Sequence, residues 1–396
     1  MTTASRQHSR TIPGLGYAIG GFLCMASVMG IGRFIYTPIL PGMLADTGIN
    51  TADAGFIASA NFVGYLLGAL AAGYGWSAGR ERAVVIAGLV ASALLCLAMA
   101  LAGDVWSFAV IRFAAGFVSA ITMIIGTTIV LSHILLLGRP QLGAVHFGGV
   151  GFGIAASALL VAAIHFAGSG WRADWIGAAL LSAVFAAAFV LLVDEGPAGG
   201  ANGGREPAVP ASFAYHALTF AYTLCGFGYV ITATFIIAIV RNSGGDAVME
   251  AFVWVLAGVC AGLSNWIWSP ILGRIGVFFA FAVASILEAI GVAASVMLAA
   301  PIGPIIGSIL LGLTFMALTA FAIQGARLLA PLSPKRAIAR LTLGFSLGQI
   351  VGPWVAGIMA QVSGSFTAPS LIAALVLVVA ATAACSAGKY ASKTVQ

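Results

Sequence analysis

Charge is what this chain has least of. Only 7% of its 396 residues are Asp, Glu, Lys or Arg, and the acidic side is the scarcer, 11 against 17. Soluble domains carry about a quarter charged residues, so a water-soluble fold is excluded. Cysteine is scarce too. The five (Cys24, Cys96, Cys225, Cys260, Cys385) all fall in apolar runs with no C-x-x-C, which excludes a disulfide framework and leaves packing as their role. There is no G-x-x-x-x-G-K-[ST], so direct nucleotide drive is not expected, and no H-E-x-x-H or comparable metal spacing. Gly151–Ala156 fits G-x-G-x-x-A inside an apolar run, where it reads as coincidence. Paired carboxylates and nucleophile–base constellations are missing as well. The chain is therefore not expected to be an enzyme or to hold a cofactor.

What is present is apolar length, 61% of the residues. About 20 apolar residues cross a hydrocarbon core of roughly 30 Å. Windows of that length give twelve spans: 13–40, 53–76, 83–102, 105–132, 142–166, 171–193, 212–240, 252–272, 276–299, 303–324, 337–360 and 368–387. The first is too long for a signal-peptide core and is read as a retained helix. With the N-terminus inside, thirteen Lys or Arg lie on or near the cytoplasmic side (Arg6, Arg10, Arg80, Arg82, Arg139, Arg205, Arg274, Arg327, Lys335, Arg336, Arg340, Lys389, Lys393). The outer loops hold two, Arg172 and Arg241. That asymmetry predicts a multi-pass protein of the cytoplasmic (inner) membrane with both termini inside. It also accounts for the net charge of +6 without a nucleic-acid partner.

The longest polar break, residues 194–211, is rich in Gly and Pro and reads as a cytoplasmic linker. It separates a six-helix bundle, 1–193, from a second, 212–396. The expected fold is all-α, twelve transmembrane helices in two six-helix bundles, the plan of a major facilitator transporter. G-x-x-x-G pairs occur at Gly64/Gly68, Gly149/Gly153, Gly258/Gly262 and Gly344/Gly348/Gly352, in spans 2, 5, 8 and 11. They recur at Gly16/Gly20 and Gly303/Gly307 in spans 1 and 10. Small residues four apart allow close helix approach, which fits spans 2, 5, 8 and 11 joining the halves.

Three strings carry a family resemblance: Gly30-Ile-Gly-Arg-Phe-Ile-Tyr-Thr-Pro-Ile-Leu-Pro41, Ala60-Asn-Phe-Val-Gly-Tyr-Leu-Leu-Gly-Ala-Leu70 and Leu341-Thr-Leu-Gly-Phe-Ser-Leu-Gly-Gln-Ile-Val-Gly-Pro353. Together they resemble the YbfB/YjiJ-like branch of the major facilitator superfamily. Arg112-Phe-Ala-Ala-Gly116-Phe-Val-Ser-Ala120 is similar to the superfamily's R-x-x-x-G-x-x-x-A element. The resemblance implies alternating access. It also implies an Asp in the loop between spans 2 and 3 that locks one state. Ser77 stands at that place, with Glu81 a candidate substitute.

Arg33 and Arg112 are the residues to explain, since an arginine at a bilayer helix centre costs roughly 2.5–3.5 kcal/mol on insertion scales. Spans 1 and 4 line the cavity in this plan, so both cations could meet one anionic group in two-point geometry. Arg112 could instead hold backbone carbonyls of span 1, and Arg33 could snorkel outward. Gly30, Gly32, Pro38 and Pro41 around Arg33 can bend the helix. Tyr36, Asn61, Tyr222, Tyr229 and Gln349 complete the candidate substrate-binding set. Tyr222 and Tyr229 share a face of span 7 with Tyr215, Thr219 and Gly226, while Asn61, Tyr65 and Gln349 are placed where the halves join. Glu288, His146 and Asp53 are the candidate proton carriers. His146 is expected on the Gly149/Gly153 face, toward the other half, and His216 at the membrane interface.

The function expected is secondary active transport of a small organic, anionic or polar solute by a monomer in contact with lipid, with protons a candidate coupling ion. The alternatives are efflux of amphipathic compounds, or a receptor that binds without moving its ligand.

Overall fold

The computed structural model describes residues 14–196 and 207–394, with side chains to 391. Most of the 194–211 break lies outside the described residues, as do Arg6, Arg10, Arg205 and the side chain of Lys393. Twelve helices among the described residues are long and apolar enough to cross a membrane. They are α1 (Gly14–Asp46), α2 (Thr51–Ala72), α3 (Glu81–Leu101), α4 (Val105–Leu136), α5 (Gly143–Phe166) and α6 (Trp171–Leu192). The second set is α7 (Phe213–Asn242), α8 (Ala247–Ile275), α9 (Val277–Met297), α10 (Ile302–Leu329), α11 (Pro334–Ser363) and α12 (Thr367–Thr394).

Two bounds differ from expectation for physical reasons. α1 continues to Asp46, past Pro38 and Pro41, because the chain breaks regular geometry before the prolines and restarts at Tyr36, which puts Pro38 in the first turn of the resumed helix. α8 and α9 meet at one residue, Gly276, whose φ of 76° and ψ of 162° lie in a region open essentially to glycine alone.

α1 and α7 are the central helices, 83% buried in their most apolar windows, against 33% for α6 and α12. Within the first six helices α2 packs on α4, α1 on α5 and α3 on α6; α8 on α10, α7 on α11 and α9 on α12 repeat the pattern in the second six. The two bundles meet mainly through α2 with α11 and α5 with α8. Those are the helices the glycine pattern nominated, but mostly not through the glycines nominated. Gly64 and Gly68 press on Phe113 and Phe117 of α4, and Gly149 and Gly153 on Phe22 and Ala26 of α1. Gly344 and Gly348 press on Thr223 of α7. These pairs build each bundle from within. The crossing of α5 and α8 uses Gly151 against Gly258 and Gly262, so one nominated pair does join the halves. That of α2 and α11 uses Gly55 and Gly357, where a Cβ would fall on the Pro353 and Thr51 carbonyls.

Candidate functional site

The site starts from a defect in α1. Regular helix ends at Met25, a π-helical stretch covers Ala26–Ile31, and helix resumes at Tyr36. Gly32 N–H donates to Ser27 O at 2.7 Å and Phe34 N–H to Met29 O at 3.1 Å, both five residues back. Pro38 has no N–H to give the Phe34 carbonyl, which takes the Thr37 N–H at 3.2 Å instead. The Arg33 carbonyl is thereby released from the ladder. A carbonyl freed in a membrane core needs another donor.

Arg112 of α4 supplies it. Its Nη1 donates to Gly32 O at 2.7 Å and its Nη2 to Arg33 O at 2.8 Å. The guanidinium is 2% exposed, with Tyr36 and Trp175 rings 5.5 and 5.8 Å away. Asn61 donates from Nδ2 to the Arg112 carbonyl at 2.8 Å, fixing α2 to α4.

Arg33 is placed differently. It lies near the middle of α1 and does not snorkel outward. It is 6% exposed and faces α2, 4.3 Å from the Tyr65 ring centroid and 4.8 Å from that of Phe62. Its Nε and Nη2 have no hydrogen-bond partner among the described residues. Arg33 lines a small space with Tyr36, Thr37, Asn61 and Arg112 on one side and Val230, Ala233 and Thr234 of α7 on the other. The volume is about 20 Å³, room for roughly one water. Four of the expected binding residues (Arg33, Arg112, Tyr36, Asn61) are thus brought to one place between the bundles.

The others form a second layer in the C-terminal bundle. Gln349 Nε2 donates to the Tyr229 hydroxyl, and Gln349 Oε1 is buried without a donor. Tyr229 lies parallel to Phe315 and Phe345, with centroids 5.9 and 5.6 Å away, and borders a second small space with Phe34. Tyr222 stacks on Phe345 at 4.2 Å and donates to Thr319 Oγ1 at 3.1 Å. Asn61, Tyr65 and Gln349 therefore tie helices within a bundle rather than joining the halves, Tyr65 through Met123 of α4.

The three titratable candidates are scattered. Glu288 is 1% exposed and points from α9 at α10, where Thr314 Oγ1 lies 2.9 Å from its Oε2. His146 faces inward within its own bundle, its Nε2 3.0 Å from Thr127 Oγ1 and its ring against Gly21 of α1. The expected orientation toward the other half is thus corrected: the Gly149/Gly153 face, with His146 on it, packs on α1. Asp53 forms a capping box with Asn50 at the start of α2, exchanging bonds of 2.9 and 3.0 Å.

Sequence reasoning missed the contacts that close the end of the bundle away from the termini. Thr51 Oγ1 lies 3.2 Å from Gly357 O and 3.1 Å from Gln361 Oε1; Ser59 donates to Ile350 O at 2.6 Å and Thr37 to Ala233 O at 2.6 Å. At the same end His165 Nε2 pairs with Asp174 at 2.9 Å, and Arg241 grips Glu250 with Nε and Nη2 at 2.6 and 2.7 Å. Short hydroxyl side chains carry no periodic signal, so nothing in the string singles these out. Arg82, placed only as a loop cation, donates to the Val190 and Val193 carbonyls and clamps the end of α6.

The fold matches solved transporters over nearly its whole length. A point mutant of the nucleoside transporter NupG is 15% identical and superimposes with a TM-score of 0.77 over 94% of this chain and 99% of its own. A bacterial homologue of the human lysosomal transporter Spinster, inward-facing and occupied, gives 0.78 at 14% identity over 96% and 98%. Its inward-facing unoccupied form gives 0.67 at 14% identity, over 96% of each chain. No curated protein matches the sequence. The family profile described as uncharacterised MFS-type transporter YbfB matches residues 25–385, so this multi-pass chain belongs to that branch of the major facilitator superfamily, a family of membrane transporters rather than enzymes.

Proposed function

We propose that this transporter moves a small organic anion across the cytoplasmic membrane by alternating access, with Arg33 as the group that meets the solute. The observation that carries the reading is a buried guanidinium between the two bundles with two nitrogens unpartnered. Such a charge is costly in the membrane unless something polar completes it. Arg112, its terminal nitrogens on backbone, keeps α1 open and aims Arg33. Tyr229 and Gln349 supply polar contacts from the other bundle, so a bound solute would bridge the halves that rock. The basic residues at the end bearing the termini favour that end as cytoplasmic. Glu288 is the best-placed proton carrier, and one chain holds a complete pathway.

The test is uptake into proteoliposomes by wild type and Arg33→Ala, with thermal shift of the purified protein against organic anions, neutral metabolites and cationic drugs. Anion stabilisation and flux that vanish in the variant support the reading. Stabilisation by cationic or lipophilic compounds alone, unchanged in the variant, makes efflux the function.

A further inference from the structure

The two unpartnered nitrogens of Arg33 are not an arbitrary pair. Nε and Nη2 form the side edge of a guanidinium, with two N–H vectors pointing the same way, the spacing of a carboxylate's oxygens. The protein uses that edge for this purpose elsewhere: Arg241 holds both Glu250 oxygens with its Nε and Nη2. At Arg33 the same edge is buried and meets no protein acceptor among the described residues.

Across Phe34 from Arg33 lies a stack of parallel rings in the C-terminal bundle, of which Phe315 and Tyr229 border the second small space. Tyr229 lies within 6° of both Phe315 and Phe345, and Tyr222 continues the stack within 10° of Phe345. Phe34, next to Arg33, meets Phe315 edge-on at 6.0 Å, joining the stack to the cation. Leucine or valine would line a site for an aliphatic tail equally well. Aligned ring faces add a preference only for a flat π-system.

We infer that the solute is an aromatic monocarboxylate, its carboxylate held on the Nε/Nη2 edge of Arg33 and its ring against Phe315 and Tyr229. This rests on the anion reading above. One charge is specified rather than two because the terminal nitrogens of Arg112, the neighbouring cation, are held by backbone carbonyls. The spaces at Arg33 and at Tyr229 measure about 20 and 10 Å³ in this closed arrangement. The solute therefore enters when α1 and α7 move apart.

Four probes separate the claims: benzoate, cyclohexanecarboxylate of the same size but without a π-face, uncharged benzamide, and doubly charged phthalate. Dissociation constants come from thermal-shift titration of the full-length protein in detergent. Benzoate is expected to bind about three- to tenfold tighter than cyclohexanecarboxylate. Benzamide and phthalate should bind more weakly still. Phe315→Leu should close the gap between the two acids while both still bind, and Arg33→Ala should abolish both. Equal binding of the two acids, lost in Arg33→Ala, overturns the aromatic class and leaves the anion site standing. Phthalate at least as tight as benzoate overturns the single charge. Benzamide as tight as benzoate, or no response to any acid, overturns the anion reading itself.

Discussion

Arg112 holds Arg33 by its backbone: Nη2 of one donates to the carbonyl of the other at 2.8 Å, across 79 residues of sequence. The two cations are therefore unequal. One is spent on the opened turn of α1, and the other is left to face the space between the bundles.

Arg112→Met should accordingly behave as a structural lesion. It strands the Gly32 and Arg33 carbonyls in a low-dielectric core, each worth about 1–3 kcal/mol when unsatisfied. A drop in stability of about 2–4 kcal/mol is expected. Arg112→Lys should recover only part, since an ammonium is not a planar fork. Thermal unfolding in detergent checks both. A melting temperature as high as wild type in Arg112→Met would mean that the α1 break needs no donor.

Arg33→Gln should do the reverse. No hydrogen bond is lost at Nε or Nη2, and removal of a buried charge offsets the lost ring contacts with Tyr65 and Phe62. Stability should stay within about 1 kcal/mol of wild type, while stabilisation by organic anions disappears. A variant that unfolds as readily as Arg112→Met would assign Arg33 to structure.

These outcomes bear on what the sequence disclosed. The twelve spans, the two-bundle fold and the burial of two arginines within the spans were legible, because apolar length and misplaced charge are local signals. The unequal roles were not. Which guanidinium meets carbonyls depends on where α1 leaves regular geometry, and Gly30, Gly32 and Pro38 mark a bend without giving its hydrogen-bond register. His146 shows the same limit. Its place on the Gly149/Gly153 face was readable, but which neighbour that face would meet was not, since glycine pairs serve α1 as well as the opposite half. Phe315 carried no signal among 24 phenylalanines, and Phe345 stood only as one letter of the 341–353 string.

Gly55→Val should prevent closure at the end away from the termini. A side chain there falls on the Pro353 carbonyl of α11, a backbone atom that cannot swing aside. The Thr51–Gln361 and Ser59–Ile350 bonds would then be pulled apart with it. Spin labels in the 47–50 and 364–366 turns should report a longer distance in Gly55→Val than in wild type. Gln361→Ala should shift the same distribution partway. An unchanged distribution in Gly55→Val would show that the bundles close elsewhere.

Glu288 offers a test of proton coupling whose logic is a count of hydrogens. Thr314 Oγ1 carries one proton but lies 2.6 Å from the Leu310 carbonyl and 2.9 Å from Glu288 Oε2. If the hydroxyl serves the carbonyl, the second contact is favourable only when the carboxyl itself holds a proton and donates it. Losing that proton would leave a buried carboxylate with no cation bonded to it among the described residues and one oxygen already without a partner. We predict that such a state favours a different arrangement of α7, α9 and α10. Glu288→Gln can donate to Thr314 permanently, so it should fold normally yet flatten the pH dependence of flux. Glu288→Ala should lose stability as well. Proteoliposome uptake between mildly acidic and mildly alkaline buffers decides the matter. A wild-type pH profile in Glu288→Gln would remove Glu288 from the coupling route and leave Thr314 as a purely structural partner.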